Sequence, residues 1–515
     1  MKNVYKLFSL AALLALTSCG GGGGNTSSSA ESKSGSSAET SSSAATTSAD
    51  ASSSTESLPD VKEVDITFWT PFGQTPLEAT QKKAKDFSAI IKKETGVTVN
   101  IDVSYQGQYK DLLEKISKGF ATANVPTMAV AYPDHVATYL GKSPDYVYDI
   151  DPFFDDPNIG FGTQKYLGDS AEYDEEDILE AYLDEGRHYS KEGTYSYPLM
   201  KSSEVLYYNR DAVETIMGLI PDGFLPNASR SSAAAFVESL SWDDLIEVAR
   251  YALEHKNQIL DTITVPIWYD SDSNLFISKM YQEEIDFTSI TAEGVGHIEF
   301  ETGEARTATE DMVNSLAAAA KDGLLTTKGV KGTYGSDAFT RGECIFEVGS
   351  SGGAGYTAPS GEAFTFDVAA VPASNNNPLY ISQGPDIAFI RNPGVSDSLN
   401  AIRARYAWQF AKYLTNPESN VYLCVYGSEG YVPVRYSAYE TAEYNEFLRE
   451  GETIAATAKV LLNSIQGNFL TTDTFIGSAE LRDQVGGVLT QVFNGTKDAK
   501  TAIDDAIAYT KTYIK

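Results

Sequence analysis

Hydrophobic positions recur with two periods along the chain, and the two alternate in an ordered way. "VDITFW", 64–69, alternates apolar and polar residues with the period of two that marks a half-buried strand. Thr75-Pro76 then opens a helix, and Leu77, Thr80, Ala84, Phe87 and Ile91 recur at helical spacing up to Gly96, which can close it. "VTVNIDVSY", 97–105, reads as a second strand. Tyr109, Leu112, Leu113, Ile116 and Phe120 outline a second amphipathic helix, and "TMAVAY", 127–132, is a short strand of the buried type. Strand–helix alternation of this kind predicts an α/β fold built on a parallel sheet. In such sheets ligands bind beyond the carboxyl ends of the strands. Trp69, Tyr105, Gln106 and Asp134 fall at those ends and are candidate site residues.

Further along, 149–193 is acidic and irregular, with one surface helix expected in "YDEEDILEAYLDEG". "YSYPLMKSSEVLYYNRDAVE" reads as a strand followed by a helix start. "SLSWDDLIEVARYALEH" is a helix whose Ser241 and Asp244 have the spacing of a capping box. Further helices are expected over 309–321, 398–414, 417–426, 480–493 and 499–513.

The N-terminus breaks this pattern. Lys2 and Lys6 precede an apolar run, 7–16, that is too short to span a bilayer and has the layout of a secretory signal. From 20 to 57 the chain is nearly all Gly, Ser, Ala and Thr. A segment without apolar periodicity buries too little surface to offset its chain entropy, so it is expected to be a flexible linker reaching about 35 Å. Leu16-Thr17-Ser18-Cys19 resembles a bacterial lipobox, which implies cleavage before Cys19 and lipidation of its sulfur. The expected location is therefore the outer face of a cell membrane.

Composition narrows the partners. The 515 residues carry a formal net charge of −32, and no basic stripe offsets it, so nucleic acid is excluded as a partner. Cys344 and Cys424 lie among apolar neighbours, where buried free thiols are favoured over pairing with each other. No Cys/His cluster has zinc spacing, and no cofactor or metal is expected.

Gly349-Ser350-Ser351-Gly352-Gly353 matches the G-x-S-x-G of a nucleophile elbow. An elbow needs a helix after the turn, and "AGYTAPSGEAF" is too rich in Gly and Pro for one. His135, His188, His255 and His297 all precede Ser351, against the hydrolase order of serine, acid, histidine. "DSDSN", 270–274, starts like a calcium loop but has Leu275 and Tyr281 where Gly and Glu are required. H-E-x-x-H, Walker and Rossmann motifs are all missing. Paired carboxylates acting on a glycosidic bond keep a secreted hydrolase as the rival class.

Several segments, in order, carry a resemblance: "ITFWTPFG", "QGQYKDLLEKISKGFATANVPTMAVAYPDHVATYL", "YPLMKSSEVLYYNRDAVE", "LSWDDLIEVARYAL", "AFTRGECIFEVGSSGG", "ISQGPDIAFI" and "AWQFAKYLTNPESNVYLCVYGSEGYVPVR". Together they resemble the extracellular solute-binding proteins of bacterial ABC importers, in the family that includes maltose- and glycerol-3-phosphate-binding proteins. The resemblance implies two α/β lobes joined by a hinge, a ligand cleft between them, and delivery to a membrane permease by a monomeric, non-enzymatic receptor. It sets the expected division: 1–18 signal, 19–60 lipidated linker, 61–200 with 382–430 as one lobe, and 201–381 with 431–515 as the other. The regions 149–193 and 220–239 depart from the family pattern as an insertion and a longer loop.

A sugar offers flat apolar faces and a rim of hydroxyls, which aromatics and polar groups meet respectively. Trp69, Trp268, Tyr269, Tyr356 and Tyr431 are candidate platforms, while Trp242 and Trp408 lie in helical apolar patterns and are assigned to the core. Asp134 and Gln383 are candidate hydroxyl partners. Ser350, Ser351 and Gly352 form a small-residue turn that lets backbone N–H groups approach a ligand. An oligosaccharide is the expected ligand. Arg435, just past "GYVP", makes glycerol phosphate the alternative, since a guanidinium can pair with phosphate bidentately.

Overall fold

The structure, a computed structural model, describes residues 61–359, 363–373, 378–427, 430–449, 453–463 and 468–514. The expected signal, Cys19 and linker lie outside the described residues. Residues 58–515 form one compact unit.

That unit holds two five-stranded sheets, each with its own helices. In the first, the strands run in the order Thr98–Tyr105, Glu63–Thr70, Met128–Ala131, Asp386–Phe389, Tyr197–Pro198. The first three are parallel, with Phe68 opposite both Val103 and Met128. Asp386–Phe389 runs antiparallel to Met128–Ala131. The second sheet runs Phe366–Ala369, Glu204–Asn209, Phe346–Ser350, Ile267–Tyr269, Leu325–Thr327. Its last three strands are parallel, and Glu204–Asn209 is antiparallel to its neighbours. Each sheet is buried against helices, as its apolar strands require. Phe68, Phe87, Trp408 and Phe410 centre one core; Trp242, Leu245, Phe276 and Phe346 belong to the other. The α/β class and the core placement of Trp242 and Trp408 are as expected.

Helix signals hold at their caps. Gly96 closes the helix Gln74–Thr95 at a φ of 79°, where a Cβ would strain the backbone. Ser241 accepts from the Asp244 N–H while the Asp244 carboxylate accepts from the Ser241 N–H. One helix begins earlier than expected, at Gly303–Lys321, because its first turns are polar and carry no apolar stripe. "YDEEDILEAYLDEG" shrinks to Glu180–Asp184.

"YSYPLMKSSEVLYYN" is not one strand but two. Tyr197–Pro198 belongs to the first sheet and Glu204–Asn209 to the second, and 199–203 crosses between them. Two further segments lie beside this crossing. Ser202 and Gln383 exchange backbone hydrogen bonds at 2.9 and 3.0 Å, and Lys201 and Val432 do so at 3.1 and 2.8 Å. These three strands form the hinge. Past this crossing the chain touches both bodies: Val432 packs with Val205 and Tyr207 of the second sheet, and Ala438 and Tyr444 pack with Val421 of the helix Pro417–Tyr426.

Candidate functional site

Beneath the crossing strands lies a buried ionic cluster. The Lys201 Nζ lies 2.5 Å from Glu185 and 2.5 Å from Asp386, and all three are buried. Burial alone would lower the Lys201 pKa, but the two carboxylates raise it above its ordinary value, so the ammonium stays charged. Ser196 donates to Asp386 at 2.9 Å and Ser382 to Glu185 at 2.6 Å. The cluster ties the 382–386 crossing to the 199–203 crossing from below.

Above the hinge, the carboxyl ends of both sheets face one another across a cleft holding a cavity of about 190 Å³. The first lobe contributes Tyr132 and Asp134, at the start of the helix Pro133–Lys142. The second contributes Ser271, Ser273 and Asn274, from the start of the helix Asp272–Gln282, and Arg482, from the helix Ser478–Phe493. Crossing and returning segments supply Gln383, Thr471, Thr472 and Thr474.

The polar lining is incompletely satisfied. Asp134 is 8% exposed, and its Oδ1 has no hydrogen-bond partner among the described residues. His135 Nε2 is 3.9 Å from that oxygen, but burial lowers the imidazole pKa and keeps it neutral. The buried Gln383 Oε1 is likewise without a partner. Two buried orphan acceptors in residues that line one small cavity are costly unless a donor arrives to meet them.

Arg482 lies between the lobes. Its Nη1 donates to Asn274 Oδ1 at 2.6 Å, and its Nε stands 3.5 Å from Asp134 Oδ2. Asn274 in turn donates to Glu204 at 2.9 Å, and Tyr269 donates to the other Glu204 oxygen. Burial pushes the Glu204 pKa up to about 7. A second acidic pair, Asp270 and Glu347, lies under the neighbouring floor, where Gly335 donates to Asp270 at 2.5 Å. Burial raises the pKa of both, and their mutual repulsion raises that of Glu347 further.

Of the sequence candidates, Asp134 and Gln383 line this cavity. Ser350, Gly352 and Tyr431 meet beside the hinge: Ser350 Oγ accepts from the Gly352 N–H at 3.2 Å, and a Cβ on Gly352 would come 3.0 Å from the Tyr431 ring. Gln106 and Tyr105 lie at the end of their strand, Tyr105 half-exposed, and Tyr356 is exposed; none of the three lines the cavity. Trp69 packs partly buried against the core around Leu112 and Ile116.

Four assignments are corrected. Trp268 is buried with Phe339 and Cys344 and is a core residue. Tyr269 is fully buried, stacked on Trp242 and bonded to Glu204, so it presents no face to a ligand. Ser351 is fully buried and exchanges hydrogen bonds with the Ser203 backbone at 2.7 and 3.2 Å; it pins the turn to the hinge and is no exposed nucleophile. Arg435 is 0% exposed, and its guanidinium is used up by Thr415 O, Asp174 O, Asp177 and Tyr197, so no phosphate reaches it. Cys344 and Cys424 are buried and are not joined in a disulfide.

Sequence reasoning missed Tyr132, Arg482, Asn274 and the Thr471–Thr474 stretch. The signal for Asn274 was present in "DSDSN", a polar run just past an apolar strand and opening a helix. Arg482 lies on the amphipathic face of a helix far along the chain, and nothing local marks it.

Two α/β bodies, three crossing strands and a polar cleft at facing strand ends define a two-lobe ligand-binding protein of the periplasmic type. The model of the family described as "Bacterial extracellular solute-binding protein" matches residues 85–447, and the chain belongs to that family. The chain is similar to the sn-glycerol-3-phosphate-binding periplasmic protein UgpB of Brucella melitensis, 24% identical over 341 residues that span 62% of this chain and 68% of the relative. The corresponding protein of Brucella abortus is 25% identical over the same shares. Among solved structures, a cyclic α-maltosyl-1,6-maltose binding protein from Arthrobacter globiformis superposes with a TM-score of 0.60 at 17% identity, over 86% of this chain and 97% of that one. UgpB from Mycobacterium tuberculosis, in complex with glycerophosphocholine, superposes with a TM-score of 0.61 at 17% identity, over 87% and 98%.

Proposed function

We propose that this protein is a lipid-anchored receptor that captures a neutral, polyhydroxylated ligand, an oligosaccharide, in the interlobe cleft and hands it to an ABC importer. The carrying observation is the cavity lining, in which Tyr132, Ser271, Ser273, Asn274, Gln383 and the Thr471–Thr474 stretch supply hydroxyls and amides beside Asp134, Glu185 and Arg482, and in which Asp134 Oδ1 and Gln383 Oε1 are buried and unpartnered. Sugar hydroxyls are donors of the right kind for both. A ligand bridging the lobes favours the closed form by the contacts it makes only there. The lipobox-like Leu16–Cys19 and the Gly/Ser/Ala/Thr-rich 20–57 support the tether outside the cell, and the proposed receptor works as a monomer beside its permease.

Charge argues for neutrality. Arg435 and Lys201 are buried in structural clusters, which leaves Arg482 as the cation on the cavity wall, already shared between Asn274 and Asp134. Glycerol phosphate or a glycerophosphodiester is the second reading, favoured by the named ligands of the relatives; Arg482 is the group that would meet its phosphate.

Calorimetric titration of the full chain with maltotriose, glycerol 3-phosphate and glycerophosphocholine tests both. Saturable binding of the neutral sugar, with no turnover, supports the first reading. Binding confined to the phosphate compounds transfers the assignment to the second, and release of shorter sugars would return it to a hydrolase.

A further inference from the structure

Asp134 and Arg482 come from different lobes, one at the start of the helix Pro133–Lys142, the other in the helix Ser478–Phe493. They meet across the cavity with Nε 3.5 Å from Oδ2, their side chains 10% and 28% exposed. A second interlobe ion pair lies one residue away in sequence: Lys110 and Asp483, 2.9 Å apart, with side chains 71% and 62% exposed. The two pairs have the same topology and opposite burial.

We propose that Arg482 is a positioning residue that latches the cleft: it holds Asp134 by one oxygen, leaves the other unpartnered, and biases the empty protein toward closure. This rests on the cleft being the ligand site. The physical reason lies in Asp134. When the lobes part, its carboxylate is hydrated. When they close, it loses water, and a buried carboxylate without a counterion is strongly unfavourable. His135 beside it is neutral, so Arg482 supplies the compensating charge. Asn274 fixes the guanidinium by a 2.6 Å bond and is itself held by Glu204, so the cation is pre-organised. Arg482 stands on the Oδ2 side, and Oδ1 is buried without a hydrogen-bond partner, an acceptor still unspent when a donor arrives with closure. The Lys110–Asp483 pair has none of this, because two exposed charges keep their water and gain little by meeting.

The test needs no ligand, so its outcome is independent of the ligand's identity. Spin labels are placed at Lys85→Cys and Lys331→Cys, both exposed and one in each lobe, on the full chain, whose Cys344 and Cys424 are buried. Distances are measured by pulsed electron resonance. The expected result is a dominant short-distance population that falls at least threefold in Arg482→Gln and in Asp134→Asn. The double variant should fall no further than either single one. Arg482→Lys should keep most of the closed population, and Lys110→Gln should keep all of it. If Arg482→Gln misfolds, the nearly isosteric Asp134→Asn decides alone. Distances unchanged in the variant that decides, or Lys110→Gln opening the protein as much as Arg482→Gln, overturn the proposal.

Discussion

Asp134 shows what a single residue carries. Its position after a buried strand was visible in the sequence; its orphan oxygen was not, because that depends on burial and on Arg482 arriving from a distant part of the chain. Asp134→Ala is expected to weaken maltotriose binding tenfold or more, since one charge-assisted hydrogen bond is worth about 1.5–3 kcal/mol. Unchanged affinity by calorimetry would remove Asp134 from the site. Glu204 makes a different prediction. Burial raises its pKa from an ordinary 4.5 to about 7, so between those values the folded protein holds a proton that the unfolded chain has released. Its contribution to stability is therefore lost as pH rises through that window and is constant above it, a change on the order of 3 kcal/mol. Glu204→Gln, measured by chemical denaturation, should show a shallower decline from pH 5 to 7 than the parent. An identical slope would mean that Glu204 is ionised throughout.

At the scale of elements, the caps were legible and the crossings were not. Ser241 with Asp244, and Gly96, announce helix ends by local chemistry, and the structure has them there. The split of "YPLMKSSEVLYYN" into two strands of two sheets has no local cause. It follows from Lys201 needing Glu185 and Asp386, and from Ser203 bonding Ser351. Arg435 teaches the same lesson: the stretch 149–193 supplies Asp174 and Asp177, which enclose a guanidinium that local sequence would leave free. Arg435→Met is therefore expected to lower the melting temperature, at a cost of about 3–5 kcal/mol, because Asp177 loses its counterion and keeps only Ser437 while the Thr415 and Asp174 carbonyls lose their donor. Ligand affinity of the folded fraction should be unchanged, and a selective loss of affinity with full stability would put Arg435 back in the site. Gly430 sits at a φ of 138°, where a Cβ would fall 1.7 Å from Ser351 O. Gly430→Ala should therefore disrupt the hinge and reduce soluble expression sharply.

For the whole molecule, function is a matter of two bodies and the space between them. A ligand that binds only the folded, closed form stabilises it by mass action, by about 2.7 kcal/mol at a hundredfold excess over Kd. A bound oligosaccharide should raise the melting midpoint in proportion to the logarithm of its concentration. A sugar that binds by calorimetry yet leaves the midpoint fixed would indicate attachment outside the cleft.

The sequence by itself determined the α/β class, most of the longer helices and two of their caps, the family resemblance and two of the cavity's residues, Asp134 and Gln383. These are written in short-range periodicity, in turn chemistry and in motifs that stay together along the chain. The tertiary structure decided which polar groups remain unsatisfied. Tyr269, Ser351 and Arg435 looked available in one dimension and are used up in three, and Trp268 is buried in a core. Arg482 looked like an ordinary helix-surface charge and stands in the cleft. Hydrogen-bonding capacity belongs to a residue, but whether it is already spent depends on neighbours that only folding brings within 3 Å.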